Sequence, residues 1–171
     1  MPTVILFLLA LAIAWWWTSR IRVSRKPTQM MATRIHFPEG GIQVGDVERS
    51  LATLTNPEEV VIPFDQAILV IEYPLSTPAS ISISASLPQG FTRAELVRAV
   101  CEEYANVYEA EDATATTKAI PPGERTTLKN RNRTDGVYGI YGHDREDLVL
   151  TAMRWKRDVG GLVTIELHVE S

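Results

Sequence analysis

Two periods of apolar residues divide the body of the chain. "AILVIEY" at 67–73 is a β-branched apolar run. "SISISAS" at 80–86 alternates strictly, with Ile81, Ile83 and Ala85 on one side and serines on the other. Alternation at every second residue marks a strand with one buried face. The "PLSTPA" segment between the two runs is turn-like, so they read as neighbouring antiparallel strands.

The period then lengthens. "GFTRAELVRAVCEEYANVYEAED" (90–112) places Leu96, Val97, Val100, Tyr104, Val107 and Tyr108 on one helical stripe. Thr92 and Glu95 have the spacing of a capping box, and Phe91 and Leu96 that of a hydrophobic staple. Cys101 borders the stripe and reads as a packed thiol rather than a nucleophile. The helix ends in Glu102, Glu103, Glu109, Glu111 and Asp112, and carboxylates at that end oppose the helix dipole. Either they form a solvated face or something cationic lies beside them.

Residues 113–136 lack apolar periodicity, and loops of that length in small domains are usually functional or disordered. Their cations, Lys118, Arg125, Lys129, Arg131 and Arg133, outnumber their acids. Folding back on the acidic helix end would account for both runs, and an anion or phosphate site is the alternative. Asn132-Arg133-Thr134 is also a glycosylation sequon, meaningful only for a lumenal body. The chain closes with "LVLTAMRWK" (148–156) and "LVTIELHVE" (162–170), joined by a glycine-rich turn, which predicts a second hairpin. Ahead of the first hairpin the pattern is irregular. It predicts only a short helix at Val47–Leu54, with Asp46 as N-cap and Val47, Leu51 and Leu54 on one face. The expectation over residues 33–171 is an α+β domain: an antiparallel sheet built from two hairpins, with one main helix packed on it.

The N-terminus is of another kind. Residues 1–19 carry no charge and are apolar from Val4 to Trp17, just long enough to cross a bilayer as a helix. Trp15, Trp16 and Trp17 suit the membrane interface, and Arg20, Arg22, Arg25 and Lys26 would hold that side in the cytoplasm. A cleaved signal is the poorer fit, because the start is uncharged and the tryptophans directly follow the small residues. Residues 1–19 are therefore expected to be a single-pass anchor, 20–32 a basic and polar linker, and the body cytoplasmic. Translation from Met30 or Met31 would instead give a soluble cytoplasmic domain.

Charge sharpens this division. The 171 residues hold 17 basic and 21 acidic side chains, a net of −4. Four of the cations precede residue 27, so the body has 13 cations against 21 acids, or −8. An acidic body argues against nucleic acid as a partner, since phosphate neutralisation dominates such binding. One cysteine allows no internal disulfide, which favours a reducing compartment.

Candidate chemistry concentrates in "TDGVYGIYGHDREDLVL" (134–150). Gly136, Gly139 and Gly142 recur at every third residue, with Tyr138 and Tyr141 between them. Glycine is favoured where φ is positive or where another group approaches closely. Asp144 and Asp147 have the spacing of an N-cap and a third-position acid. His143, Asp144 and Asp147 could converge on a divalent metal, with His36 or His168 joining only through the fold. The structural alternative is a loop packed by Tyr138 and Tyr141, turned by Gly139 and Gly142, and tied by His143 and Asp144. The sequence contains no cofactor-binding motif, no phosphate-cradling loop and no Ser-His-Asp order.

This stretch resembles a pattern in uncharacterised proteins of large DNA viruses, algae and protists: asparagine-arginine, a few residues, then Y-G-I-W-G-H-D, two residues, and D-L-V-L. Asn132, Arg133, Gly136, Tyr138, Gly139, Ile140, Gly142, His143, Asp144, Asp147 and Leu148 match it, and Tyr141 stands in place of the tryptophan. "FTRAELVRAVCEEYANVYEAED" is similar to that family's capped helix and "ELHVES" to its end. The resemblance covers residues 60–171 and omits the N-terminal segment. It implies a shared domain type and brings no activity with it.

Two functions are expected on these grounds. One is a membrane-anchored, non-enzymatic binding or structural domain, engaging a protein partner through the 138–147 loop and the basic segment. The other is a metal-dependent hydrolase using His143, Asp144 and Asp147. A soluble anion-binding module using the basic segment is a third.

Overall fold

The structure is a computed structural model that describes residues 31–37, 40–126 and 130–171. The expected anchor at 1–19 and the linker as far as Met30 lie outside the described residues. No helix among the described residues is long and apolar enough to cross a membrane.

Among the described residues, eight strands and two α-helices follow one another: β1 (Met31–His36), β2 (Ile42–Gln43), α1 (Val47–Ala52), β3 (Val60–Ile62), β4 (Gln66–Ile71), β5 (Ala79–Ser84), β6 (Phe91–Thr92), α2 (Arg93–Thr114), β7 (Val149–Arg157) and β8 (Val163–Glu170). The fold is α+β, with one main helix. Both predicted hairpins form, β4 with β5 and β7 with β8, each antiparallel. The capping box of α2 is present, with Thr92 and Glu95 exchanging their bonds. Asp46 caps α1 by accepting from the Arg49 N–H at 3.1 Å.

The principal sheet runs in the order β1-β7-β8-β4-β5, with β2 also on β7. Besides the short strands β2, β3 and β6, which no pattern announced, two features depart from the sequence expectation. First, the hairpins join side by side through β4 and β8, which run parallel, so the sheet is not purely antiparallel. A parallel neighbour needs a long crossover, and the chain from β5 through α2 supplies it. Second, "MATRIH" is a strand, pairing antiparallel with β7 from Met31–Arg157 to His36–Ala152. The domain therefore begins inside the expected linker. Among the described side chains of this strand Ile35 alone is buried, so no period announced it.

One face of the sheet is apolar. Ile35, Met153, Trp155, Val163, Ile165, Leu69, Ile71 and Ile83 form one buried cluster with Leu96, Val97, Val100, Tyr104, Val107 and Tyr108 of α2. Cys101 is buried with them, and burial pushes its thiol up to about 11, which suits packing and not nucleophilic attack. The opposite face carries the serines of β5, Arg34, His36, Arg154, Lys156, Glu166 and His168, all exposed or half-buried.

Candidate functional site

Sequence reading grouped Glu111 with the acidic end of α2. The structure separates it from that group: Glu111 is 0 % exposed. Its carboxylate accepts from the Thr134 hydroxyl at 2.6 Å and from the backbone N–H groups of Gly136 (2.8 Å), Tyr138 (2.8 Å), Gly139 (3.0 Å) and Ile140 (3.4 Å). The glycine-tyrosine loop is wrapped around this one side chain. Burial alone would raise the acid's pKa, but the Thr134 hydroxyl and the N–H groups of Tyr138, Gly136 and Gly139 hold it below the ordinary glutamate value. The signal was present in the sequence: Glu111 follows Tyr104, Val107 and Tyr108 at i+7, i+4 and i+3, on the buried stripe.

The glycines now have reasons. A Cβ on Gly136 would lie 2.6 Å from both the backbone oxygen and Oε2 of Glu111. Gly139 has φ +63°, which lets its N–H turn inward to Glu111 while its carbonyl accepts outward from Ser76. The loop also receives the N–H groups of Ser76 and Thr77 on the Tyr138 carbonyl, at 3.0 and 2.9 Å. It is fastened on one side to the helix and on the other to the turn between β4 and β5.

The basic segment folds back on the acidic helix end. Arg125 makes a two-pronged bond to Asp144, at 2.6 and 2.9 Å. Arg131 is 7 % exposed, donates to Asp112 at 2.9 Å, lies 3.7 Å from Asp144 and stacks over the Tyr108 ring. The Arg125 bonds, and to a smaller extent Arg131, hold the Asp144 carboxyl below its ordinary value. Lys118 donates to the Asp112 carbonyl and Arg133 to the Ser76 hydroxyl. Lys129 lies outside the described residues. Asp135, held down to about 2 by the Thr116 hydroxyl and the Thr117 N–H, pins the start of the segment. The sequon is part of this scaffold: Asn132 bonds to Ile120 and Lys118, and Thr134 is buried.

His143, Asp144 and Asp147 are not brought together as metal ligands. Asp144 faces the two arginines. Asp147 turns back to accept from the Asp144 N–H at 3.0 Å, closing the 3-10 turn Arg145–Asp147. The His143 ring stands against Tyr73, with its Nε2 3.2 Å from the Ser171 hydroxyl, and its carbonyl accepts from Tyr108. Among the described residues no group of three or more His, Cys, Asp or Glu is placed to hold a metal. His36 and His168 lie on the open sheet face, both opposite Ala152, and do not join His143. Tyr141 is 40 % exposed and meets Tyr73 edge-on, while Tyr138 is half-buried against the core.

Comparison of the chain with protein-family models, with curated proteins and with solved structures finds no match.

Proposed function

We propose that the chain is a non-enzymatic binding or structural domain, held to a membrane through its N-terminal hydrophobic segment. One observation carries the non-enzymatic part. The groups that acid–base or metal chemistry would draw on are committed inside the fold, Asp144 to two guanidiniums and Glu111 to five donors. The same commitment of Arg125 and Arg131 weighs against an anion-binding module. The loop also presents two apolar side chains outward, Val137, 53 % exposed, and Tyr141, 40 %, beside the exposed Asp135, Glu146 and Asp147, on a backbone locked from beneath. A contact surface fixed in advance loses little entropy on binding, which suits a protein partner. Most residues that carry the viral and algal resemblance, Gly136, Tyr138, Gly139, Ile140, Gly142, His143, Asp144 and Asp147 among them, build this loop, while Val137 is not one of them and Tyr141 departs from the pattern.

Thermal unfolding of the full chain, with and without magnesium, manganese, calcium and zinc, tests the reading. No ion is expected to shift the melting temperature, and His143→Ala is expected to melt earlier in all conditions. A rise of several degrees with one ion, lost in His143→Ala, would restore the hydrolase. Alkaline extraction of membranes tests the anchor: the chain should stay in the pellet, and its release would remove that part.

A further inference from the structure

The face of the sheet turned away from α2 is unlike the rest of the body. Register places Arg34 directly opposite Arg154 in the row Arg34–Arg154–Glu166–Val70–Ser80. The next row is Ala32–Lys156–Thr164–Ile68–Ser82. Like charges directly opposite on neighbouring strands are destabilising. Glu166 answers them only in part. It is bonded to Lys156 and lies 3.9 Å from Arg154, and it is the single carboxylate in either row. Glu170 sits at the far end of β8. Ala32, Thr33, Arg34, Arg154 and His168 line an open depression of about 370 Å³ on this side. The strand residues of the face thus hold three cations and two carboxylates, +1, inside a body of −8, which leaves −9 elsewhere.

We infer that this open face, centred on Arg34, Arg154 and Lys156, lies against the anionic lipid surface of the membrane that holds the N-terminal segment. The inference rests on the anchor proposed above. Three observations choose the occupant. The chain joins the domain at Met31, on the edge strand that carries Arg34 and opposite Arg157. Only four residues separate Lys26 from Met31, so the tether there, five residue steps long, spans at most about 18 Å. The cations at 20–26 put the body on the cytoplasmic side, where the leaflet is negative. An acidic body tethered close to such a surface is turned by it, and the face that meets the lipid with least repulsion is the basic one. Phosphate headgroups between Arg34 and Arg154 would relieve their mutual repulsion, and Ile68 and Val70 supply a half-buried apolar floor beside them.

The test uses the full chain with Ser82→Cys, labelled with a fluorophore. Ser82 is exposed on the same face, on the strand farthest from the tether, and the buried Cys101 does not compete for the label. The chain is reconstituted in phosphatidylcholine vesicles, with or without about 30 mol% phosphatidylserine, and quenched by a headgroup-attached quencher. Each cation near an anionic surface contributes about a fivefold preference, so quenching should be several-fold stronger with phosphatidylserine. Raised salt, or Arg34→Gln with Arg154→Gln and Lys156→Gln, should return it to the phosphatidylcholine level. Arg49→Gln with Arg98→Gln, outside the sheet, should leave it unchanged. Equal quenching in both lipids, or no response to the triple substitution, overturns the docking while a chain that still floats with the vesicles keeps the anchor. A chain that floats with neither composition overturns the anchor, and the docking with it.

Discussion

Glu111 puts a negative charge where helical periodicity reserves a place for an apolar side chain. A carboxylate buried without partners would cost many kcal/mol, so the loop exists in this form because it supplies five donors. Glu111→Gln removes the charge and turns an amide –NH2 toward donors that cannot accept from it. The expected loss at neutral pH is about 3 kcal/mol by denaturant titration. Its pH dependence has a definite sign. The folded pKa is depressed, so the contribution is complete above the unfolded value of 4.5 and is lost as pH falls through the folded value. The gap between wild type and Glu111→Gln should therefore narrow below pH 4.5, and a gap that stays constant would show that charge is not the cause. Gly136→Ala tests the same contact sterically. Its Cβ would meet two oxygens at 2.6 Å that cannot move without breaking the clamp, and a loss of about 1–3 kcal/mol is expected. Gly123→Ala, with nothing within 4 Å, is the near-neutral comparison in the same melting experiment.

At the scale of elements, what the sequence made legible was whatever carried its own period or cap. The helix, both hairpins and the cap at Asp46 each write their buried face or end into a few adjacent residues. Strand β1 does not, because an edge strand whose residues 32–34 and 36 are all exposed is chosen by β7 and not by itself. The parallel seam between β4 and β8 was equally hidden, since alternation fixes which side chains face inward but not which strand lies alongside. In the candidate site, the charge imbalance foretold that the basic segment returns to the helix end, while the pairing of Arg125 with Asp144 required the fold. Glu111 belongs to the acidic run by charge and to the buried stripe by spacing, and the charge masks the spacing. The cap of α2 allows a test at this scale. Burial alone would raise the Glu95 carboxyl, yet bonds from Thr92 and Ser86 bring it down to about 2. Thr92→Ala removes the hydroxyl and leaves the backbone donors. Stability should fall by about 1 kcal/mol. The Glu95 pKa, followed by carboxyl carbon NMR, should rise from about 2 without reaching 4.5. An unchanged Glu95 would mean the hydroxyl bond contributes nothing to the cap.

The whole molecule depends on the seam that sequence could not show. Leu69 and Ile165 are register partners across the parallel pair, both 0 % exposed, and they join the two hairpins at the middle of the sheet. If this junction makes the domain one cooperative unit, the loop locked by Glu111 and the basic sheet face on the other side are held in a fixed relation. A membrane contact on one would then orient the other toward a partner. Leu69→Ala and Ile165→Ala should each cost about 2–5 kcal/mol, as buried deletions that leave a cavity do. Because the two side chains share one site, the double variant should lose less than the sum of the single losses. Unfolding followed by near- and far-ultraviolet circular dichroism should remain one coincident transition in every variant. Two separated transitions, with Ile165→Ala moving only one of them, would mean that the hairpins fold independently and that neither surface positions the other.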